Sequence, residues 1–336
     1  MSPSNIIDII ILSFCSGDKY PSPGYGGKNQ PASGQLLKCP SLQRDLYTCR
    51  QTSTKKILLS LGGGTNTYQL NGAIDGDAFA TMLWYMFGPR QASWVNRGMP
   101  RPFDNNNIGF SVDGFDLDIE HTPTDNFAGY KALVTKLRAL YASVPGTFYL
   151  TASPQCVVPD ANMGEILKAT TFDKVFVQFY NTPQCAARRW ADANAGYAPG
   201  GSFDTAGFTF DAWTAFLAST YSRNARLYIG LPGSAAAANP GNDLAVPQVQ
   251  NLVDTYYCRS NFGGVAIWEA TYAAANVVGG KNFNQNVKGA LNIASTDSRL
   301  SCAAVKTPPQ STTDNVVLDL GRHVGAGAAA SGVGAS

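Results

Sequence analysis

The sequence predicts an α/β chain folded as a (β/α)8 TIM barrel that lacks its first strand. Three observations predict it: seven short apolar runs bounded by turn residues, helical periodicity in the segments between them, and three acidic residues at alternate positions of one run. The 336 residues accommodate one barrel of about 250 residues with insertions. An apolar content of 44% supplies an ordinary core.

The runs are Ile6–Phe14, Lys56–Gly62, Gly114–Glu120, Phe148–Ser153, Lys174–Tyr180, Arg226–Leu231 and Gly263–Trp268. Each has strand length, and most are nearly continuous stretches of Ile, Val, Leu and aromatics, as in a parallel sheet covered on both faces. Between them, Phe127, Tyr130, Val134, Leu137 and Tyr141 fall at helical intervals, with Asp125 placed to cap that helix. Thr81–Phe87, Phe210–Tyr221 and Val246–Tyr257 repeat the pattern. Strands alternating with helices imply βαβ units. Seven strands are visible, so the eighth unit of a closed barrel belongs before residue 6; an open seven-stranded sheet is the competing architecture. Residues 1–306 read as an N-terminally truncated barrel. Residues 307–336, opening on a Pro/Ser/Thr linker and ending in Gly, Ala and Ser, read as a low-complexity, disordered tail.

Composition removes several classes of function. The net charge is +2 and only 14% of residues are charged. There is no dense Lys/Arg stripe, so no nucleic-acid partner is expected. The run Ile6–Leu12 is too short for a membrane span and contains Asp8, and no signal peptide opens the chain. The seven cysteines include no CxxC pair, which argues against metal knuckles and redox motifs. They read as scattered disulfides from an oxidising compartment, with one cysteine left over; buried free thiols are the alternative.

The informative segment is Val112-Asp113-Gly114-Phe115-Asp116-Leu117-Asp118-Ile119-Glu120-His121. Side chains alternate along a strand, so Phe115, Leu117 and Ile119 face the covering helices while Asp116, Asp118 and Glu120 face the barrel interior. Successive acids stand about 6.5–7 Å apart along the backbone. Stacked carboxylates are costly to bury and raise at least one pKa. Such a row gives one site both an acid and an anion at neutral pH. Glu120 lies at the carboxyl end of the run, where barrel enzymes keep their active sites, and is the candidate proton donor. Asp118, one pleat deeper, can hold a developing positive centre, and Asp116 can share a proton with it. A solvated edge strand or a cation site is the bland alternative, but no His or Asn ligands stand at cation-site spacing. His121 and His323 are expected to be bystanders, and no metal or other cofactor is expected.

Asp113-Gly114-Phe115-Asp116-Leu117-Asp118-Ile119-Glu120 resembles the DGFDxDxE signature of family 18 glycoside hydrolases, and more narrowly of class III, plant- and fungal-type chitinases. Leu59-Ser60-Leu61-Gly62-Gly63 resembles the family's SxGG motif, Gln178-Phe179-Tyr180-Asn181 its QFYN stretch, and Gly263–Trp268 its last barrel strand. The likeness covers residues 6–303. It implies an endo-type chitinase that cleaves β-1,4 links between N-acetylglucosamine units with retention, by a substrate-assisted mechanism. Glu120 would act as acid and then base, Asp118 would orient the 2-acetamido group, and Asp116 would tune Asp118. Tyr180, Gln178 and Asn181 would contact the sugar, and Trp268 would stack beneath it. Tyr180 and Trp268 could instead be plain core residues. Chitin or its oligosaccharides would be the partner, with a monomer acting outside the cell or in the cell wall. Cys39–Cys49 and Cys156–Cys185 bridges are implied, with Cys15 unpaired; Cys258–Cys302 has no motif behind it. An endo-β-N-acetylglucosaminidase and a non-catalytic chitin-binding relative are the alternative functions.

Overall fold

The computed structural model describes residues 7–15, 40–64, 68–105, 108–300, 302 and 316–319. Eight parallel strands close into a barrel: β1 (Ile9–Cys15), β2 (Lys56–Gly63), β3 (Gly114–Ile119), β4 (Tyr149–Ala152), β5 (Lys174–Gln178), β6 (Arg226–Pro232), β7 (Phe262–Trp268) and a last strand near the C-terminus. Outside the barrel, β8 (Val277–Val278) and β9 (Lys281–Asn282) form a small antiparallel hairpin. The closing strand is β10 (Val316–Asp319). The seven expected runs are thus β1 to β7, in order around the sheet.

The expectation of a missing stave is corrected by β10. The place between β1 and β7 is filled from the other end of the sequence, with Ile9 opposite Val317 on one side and Ile267 opposite Leu318 on the other. An open barrel would leave unpaired N–H and C=O groups along both β1 and β7, and a four-residue parallel strand satisfies part of both edges. Four residues of the segment expected to be a disordered tail are therefore a strand. The rest of 307–336, His323 included, lies outside the described residues, as do residues 1–6.

Two apolar layers result. Phe115, Leu117 and Ile119 pack outward against the helices, together with the outward residues of the neighbouring strands. Inside the barrel, Ile9, Ile11, Leu58, Phe176, Tyr228 and Val317 form a second cluster. Val317 is only 1% exposed. Its replacement by Ala is expected to lower the unfolding free energy by about 1–3 kcal/mol, since two buried methyl groups are lost. A shifted urea midpoint at constant m-value would register this; an unshifted midpoint would mean that Val317 is not inside the barrel.

Helices Ala73–Phe87 and Ala128–Ala142 pair across a glycine contact, where a Cβ on Gly76 would lie 1.9 Å from the Gly129 carbonyl oxygen. Asp125 ties their first turns together, accepting from the N–H groups of Gly72 at 2.8 Å and Gly129 at 2.7 Å. The N-cap position of the second helix is held by Phe127, so Asp125 serves its first turn from two residues upstream. Helices Pro40–Thr52 and Phe283–Thr296 were not foreseen; the second carries a capping box between Asn282 and Gln285.

Two disulfides are present among the described residues. Cys156–Cys185 spans a Cα separation of 5.8 Å, as the resemblance implied, and Cys258–Cys302 spans 4.9 Å. The implied Cys39–Cys49 bridge is not formed: Cys49 is free on the helix Pro40–Thr52, with its sulfur 3.3 Å from the Ser53 hydroxyl. Cys39 and the side chain of Cys15 lie outside the described residues. Among the described residues no helix is long and apolar enough to cross a membrane.

Candidate active site

The inward face of β3 changes from buried to partly open along its length. Asp116, in the middle, is 1% exposed. Three hydroxyls donate to its carboxylate: Ser60 of β2 at 2.8 Å, Thr151 of β4 at 2.5 Å and Ser153 at 3.0 Å. Burial pushes its pKa up, and these three donors pull it back. Two of them come from the flanking strands in register with Asp116, since β2 pairs Ser60 and β4 pairs Thr151 with it, and Ser153 follows the end of β4.

One pleat further on, Asp118 accepts a hydrogen bond at 2.9 Å from the side-chain amide of Gln178, at the end of β5. The same Gln178 amide donates to the Ser153 carbonyl at 2.9 Å, which fixes its orientation across the barrel. A cavity opens here at the carboxyl end of the strands. Asp118, Gln178, Tyr180 and Trp268 line its mouth, and Ile11, Phe176 and Val317 contribute apolar wall. The closing strand β10 is thus part of the cavity itself.

Glu120 follows the last residue of β3 and is half-buried. Burial raises its carboxyl pKa above the ordinary glutamate range. Hydrogen bonds with Asp118 and Gln178 oppose that shift, and the nearby Asp160 charge adds to it. A carboxyl whose pKa is raised in this way, next to a second carboxylate, can donate to a leaving-group oxygen.

The structure therefore lines one cavity with Asp118, Gln178, Tyr180 and Trp268, with Asp116 buried one pleat below Asp118 and Glu120 one pleat beyond it. It does not bring Asn181 to the cavity. Asn181 is exposed with φ of 62°, and its side-chain oxygen accepts from the Asn239 N–H at 2.7 Å while its own N–H donates to Asn242 at 2.9 Å. The left-handed backbone turns this residue toward the loop after β6, where its side chain anchors that loop. His121 is indeed set apart from the acidic row, packing edge-on to Tyr68 with ring centroids 4.4 Å apart. Among the described residues no cluster of three or more His, Cys, Asp or Glu side chains is arranged to hold a metal ion.

Four supporting residues escaped the sequence reading. Thr151 and Ser153 could have been found as polar residues at alternate positions of an otherwise apolar run. Tyr68 and Asp160 gave no such signal. The Asp160 carboxylate is buried in the loop after β4 and accepts from the backbone N–H groups of Gln155, Asn162 and Met163 at 3.0, 2.8 and 2.6 Å. That loop is tied to the end of β3 by a hydrogen bond between Thr122 and Asn162 at 3.0 Å. By contrast Glu269, also buried and next to Trp268, is spent on capping: it accepts from the N–H groups of Thr271 and Tyr272.

Fold and site together define a TIM barrel with a paired acidic cluster at the carboxyl ends of its strands. The chain belongs to the glycosyl hydrolases family 18, whose family model matches residues 4–251. A probable endochitinase of Arthroderma benhamiae is 35% identical over 316 residues, covering 84% of this chain and 40% of the relative. The chain spans less than half the length of the curated relatives it matches. Among solved structures, the ICChI chitinase from Ipomoea carnea matches with a TM-score of 0.62 at 25% identity, covering 85% of this chain and 91% of that one. The xylanase and alpha-amylase inhibitor protein XAIP-II from Scadoxus multiflorus matches with a TM-score of 0.63 at 27% identity, covering 85% and 90%.

Proposed function

We propose that this chain is the catalytic barrel of an endo-acting chitinase that cleaves β-1,4 links between N-acetylglucosamine units with retention of configuration. The observation that carries the reading is the Asp118–Gln178 hydrogen bond on the wall of a cavity that Tyr180 and Trp268 also line, with the half-buried Glu120 two residues beyond Asp118 on the same row. The name of the Arthroderma relative supports the substrate class.

In this reading Trp268 offers its indole face to one sugar ring. The substrate's 2-acetamido oxygen attacks the anomeric carbon as the glycosidic C–O bond breaks, and the Glu120 proton passes to the leaving oxygen. Asp118 accepts the acetamido N–H and stabilises the positive charge that develops on the oxazolinium ring. Its carboxylate is already aimed by Gln178, so little reorganisation is needed at the transition state. The Tyr180 hydroxyl takes the acetamido oxygen side. Water then attacks the anomeric carbon from the face the leaving group vacated, the bond from that carbon to the oxazolinium oxygen breaks to restore the acetamido group, and Glu120, now a carboxylate, takes the water's proton. Asp116 stays beneath, its three hydroxyl donors holding the row in place. The disulfides Cys156–Cys185 and Cys258–Cys302 fit work outside the cell or in the cell wall.

XAIP-II gives a second reading some ground, since a protein of this fold is described as an inhibitor. The intact acidic row favours catalysis. Incubation with chitohexaose, followed by chromatography and by proton NMR of the new reducing ends, decides the matter. Internal cleavage with the β anomer formed first is expected. Binding without hydrolysis would favour the inhibitor-like reading, and release of single terminal sugars would remove the endo assignment.

A further inference from the structure

We infer that Tyr68 is a positioning residue for Glu120, its phenolic hydroxyl serving as an inserted rung that fixes the backbone of the acid; this rests on the reading of Glu120 as proton donor. The β2–β3 ladder ends with the pair Gly63–Ile119, one residue short of Glu120. The strand gives out where the reacting carboxyl must be held most firmly. At that point the Tyr68 hydroxyl donates to the Gly63 carbonyl at 2.9 Å and accepts from the Glu120 N–H at 3.2 Å, with the Asp118 carbonyl 3.4 Å away. One side-chain oxygen thus joins the ends of both strands.

The surroundings are built around that oxygen. Tyr68 is 7% exposed, and the His121 ring packs edge-on against it. Gly62, at φ +114°, leaves the space the hydroxyl needs: a Cβ there would lie 2.9 Å from the phenolic oxygen and 2.1 Å from the Asp118 carbonyl oxygen. Burial raises the phenol's pKa further above its ordinary value, so it remains a donor throughout the working range. Gly64 completes the arrangement, because a Cβ there would come within 3.3 Å of a Glu120 carboxylate oxygen. With its backbone pinned and that volume left open, Glu120 reaches the leaving oxygen by side-chain rotation alone. Small displacements of a reacting group are costly in rate, so a lost pin should appear in turnover.

Tyr68→Phe removes only the oxygen. The expected result is about a tenfold fall in kcat, the rate equivalent of one lost buried hydrogen bond, with KM on chitohexaose unchanged. Amide hydrogen exchange at Glu120, followed by NMR, should become faster in the same variant. A purely structural tyrosine would lower the melting temperature while kcat per folded molecule and Glu120 exchange stayed as they were, and that outcome overturns the proposal. So does a rise in KM that accounts for the whole loss. The unmodified protein gives a test that needs no variant: Glu120, beyond the last strand pair, should show the slow exchange of a ladder amide, and loop-like exchange there also overturns it. If Glu120→Gln still hydrolyses chitohexaose, the reading beneath fails and takes this proposal with it, a case recognised by amide protection persisting at position 120.

Discussion

Replacing Glu120 by Gln is expected to lower kcat on chito-oligosaccharides by about 10²–10⁴-fold while binding is retained, because the general acid is lost and the shape is not. The magnitude follows from position. Glu120 stands beyond the end of β3, half-buried, two residues after the Asp118 that Gln178 aims. Gln keeps the length and one oxygen acceptor but has no acidic proton to give. The pH profile adds an independent check. Burial and the Asp160 charge raise the pKa of Glu120, so the protonated, competent form persists above the ordinary glutamate range. A required general acid gives an alkaline limb: kcat/KM falls as pH rises through the pKa of Glu120. That limb should be present in the unmodified protein and absent from the residual activity of Glu120→Gln. Isothermal titration with chitohexaose would measure the retained binding. Unaltered turnover in Glu120→Gln would remove Glu120 from the mechanism.

The acidic row was legible because a strand writes its two faces into alternate letters, and Asp116, Asp118 and Glu120 fall on one face of an otherwise apolar run. The remaining strands were legible for a related reason, since being covered on both faces forces continuous apolar runs. β10 was not legible. Val316–Asp319 is four residues long, follows a Pro- and Thr-rich stretch, and owes its structure to a gap between β1 and β7 that no local pattern reveals. The helix Pro40–Thr52 was hidden by polarity: only Leu46 among its described side chains is buried. Cys258–Cys302 joins residues 44 apart with no motif around either. Tyr68 lies 52 residues before Glu120, and its importance comes from where a ladder ends rather than from its own neighbours. Asn181 is the opposite case. Its place in the QFYN stretch suggested a sugar contact, but a left-handed backbone sends the side chain to the loop after β6.

Asp118→Asn is expected to reduce kcat by about 10²–10³-fold, the range found when one preorganised group that stabilises transition-state charge is removed. Two losses combine in it. The substituted amide carries no negative charge to face the oxazolinium ion. It also disturbs the bond that aims the residue, since Asp118 accepts from the Gln178 amide and that amide is held by the Ser153 carbonyl. An Asn that turns its oxygen toward Gln178 presents its NH2 toward the space where the acetamido N–H should be accepted, so donor meets donor. Because only the acetamido group supplies the internal nucleophile, cleavage of partly deacetylated chito-oligomers should be confined to bonds that follow an acetylated unit, and the fall should be as large there as on fully acetylated ones. Steady-state kinetics on the two substrate series, with Asp116→Asn as a comparison, separates this from general damage. Asp116 is 1% exposed and accepts from three hydroxyls, whereas Asp118 lines the cavity, so Asp116→Asn should cost stability as well as rate and Asp118→Asn should leave the unfolding midpoint near that of the unmodified protein. Normal kinetics in Asp118→Asn would leave the acetamido group without its acceptor and would end the substrate-assisted mechanism for this chain.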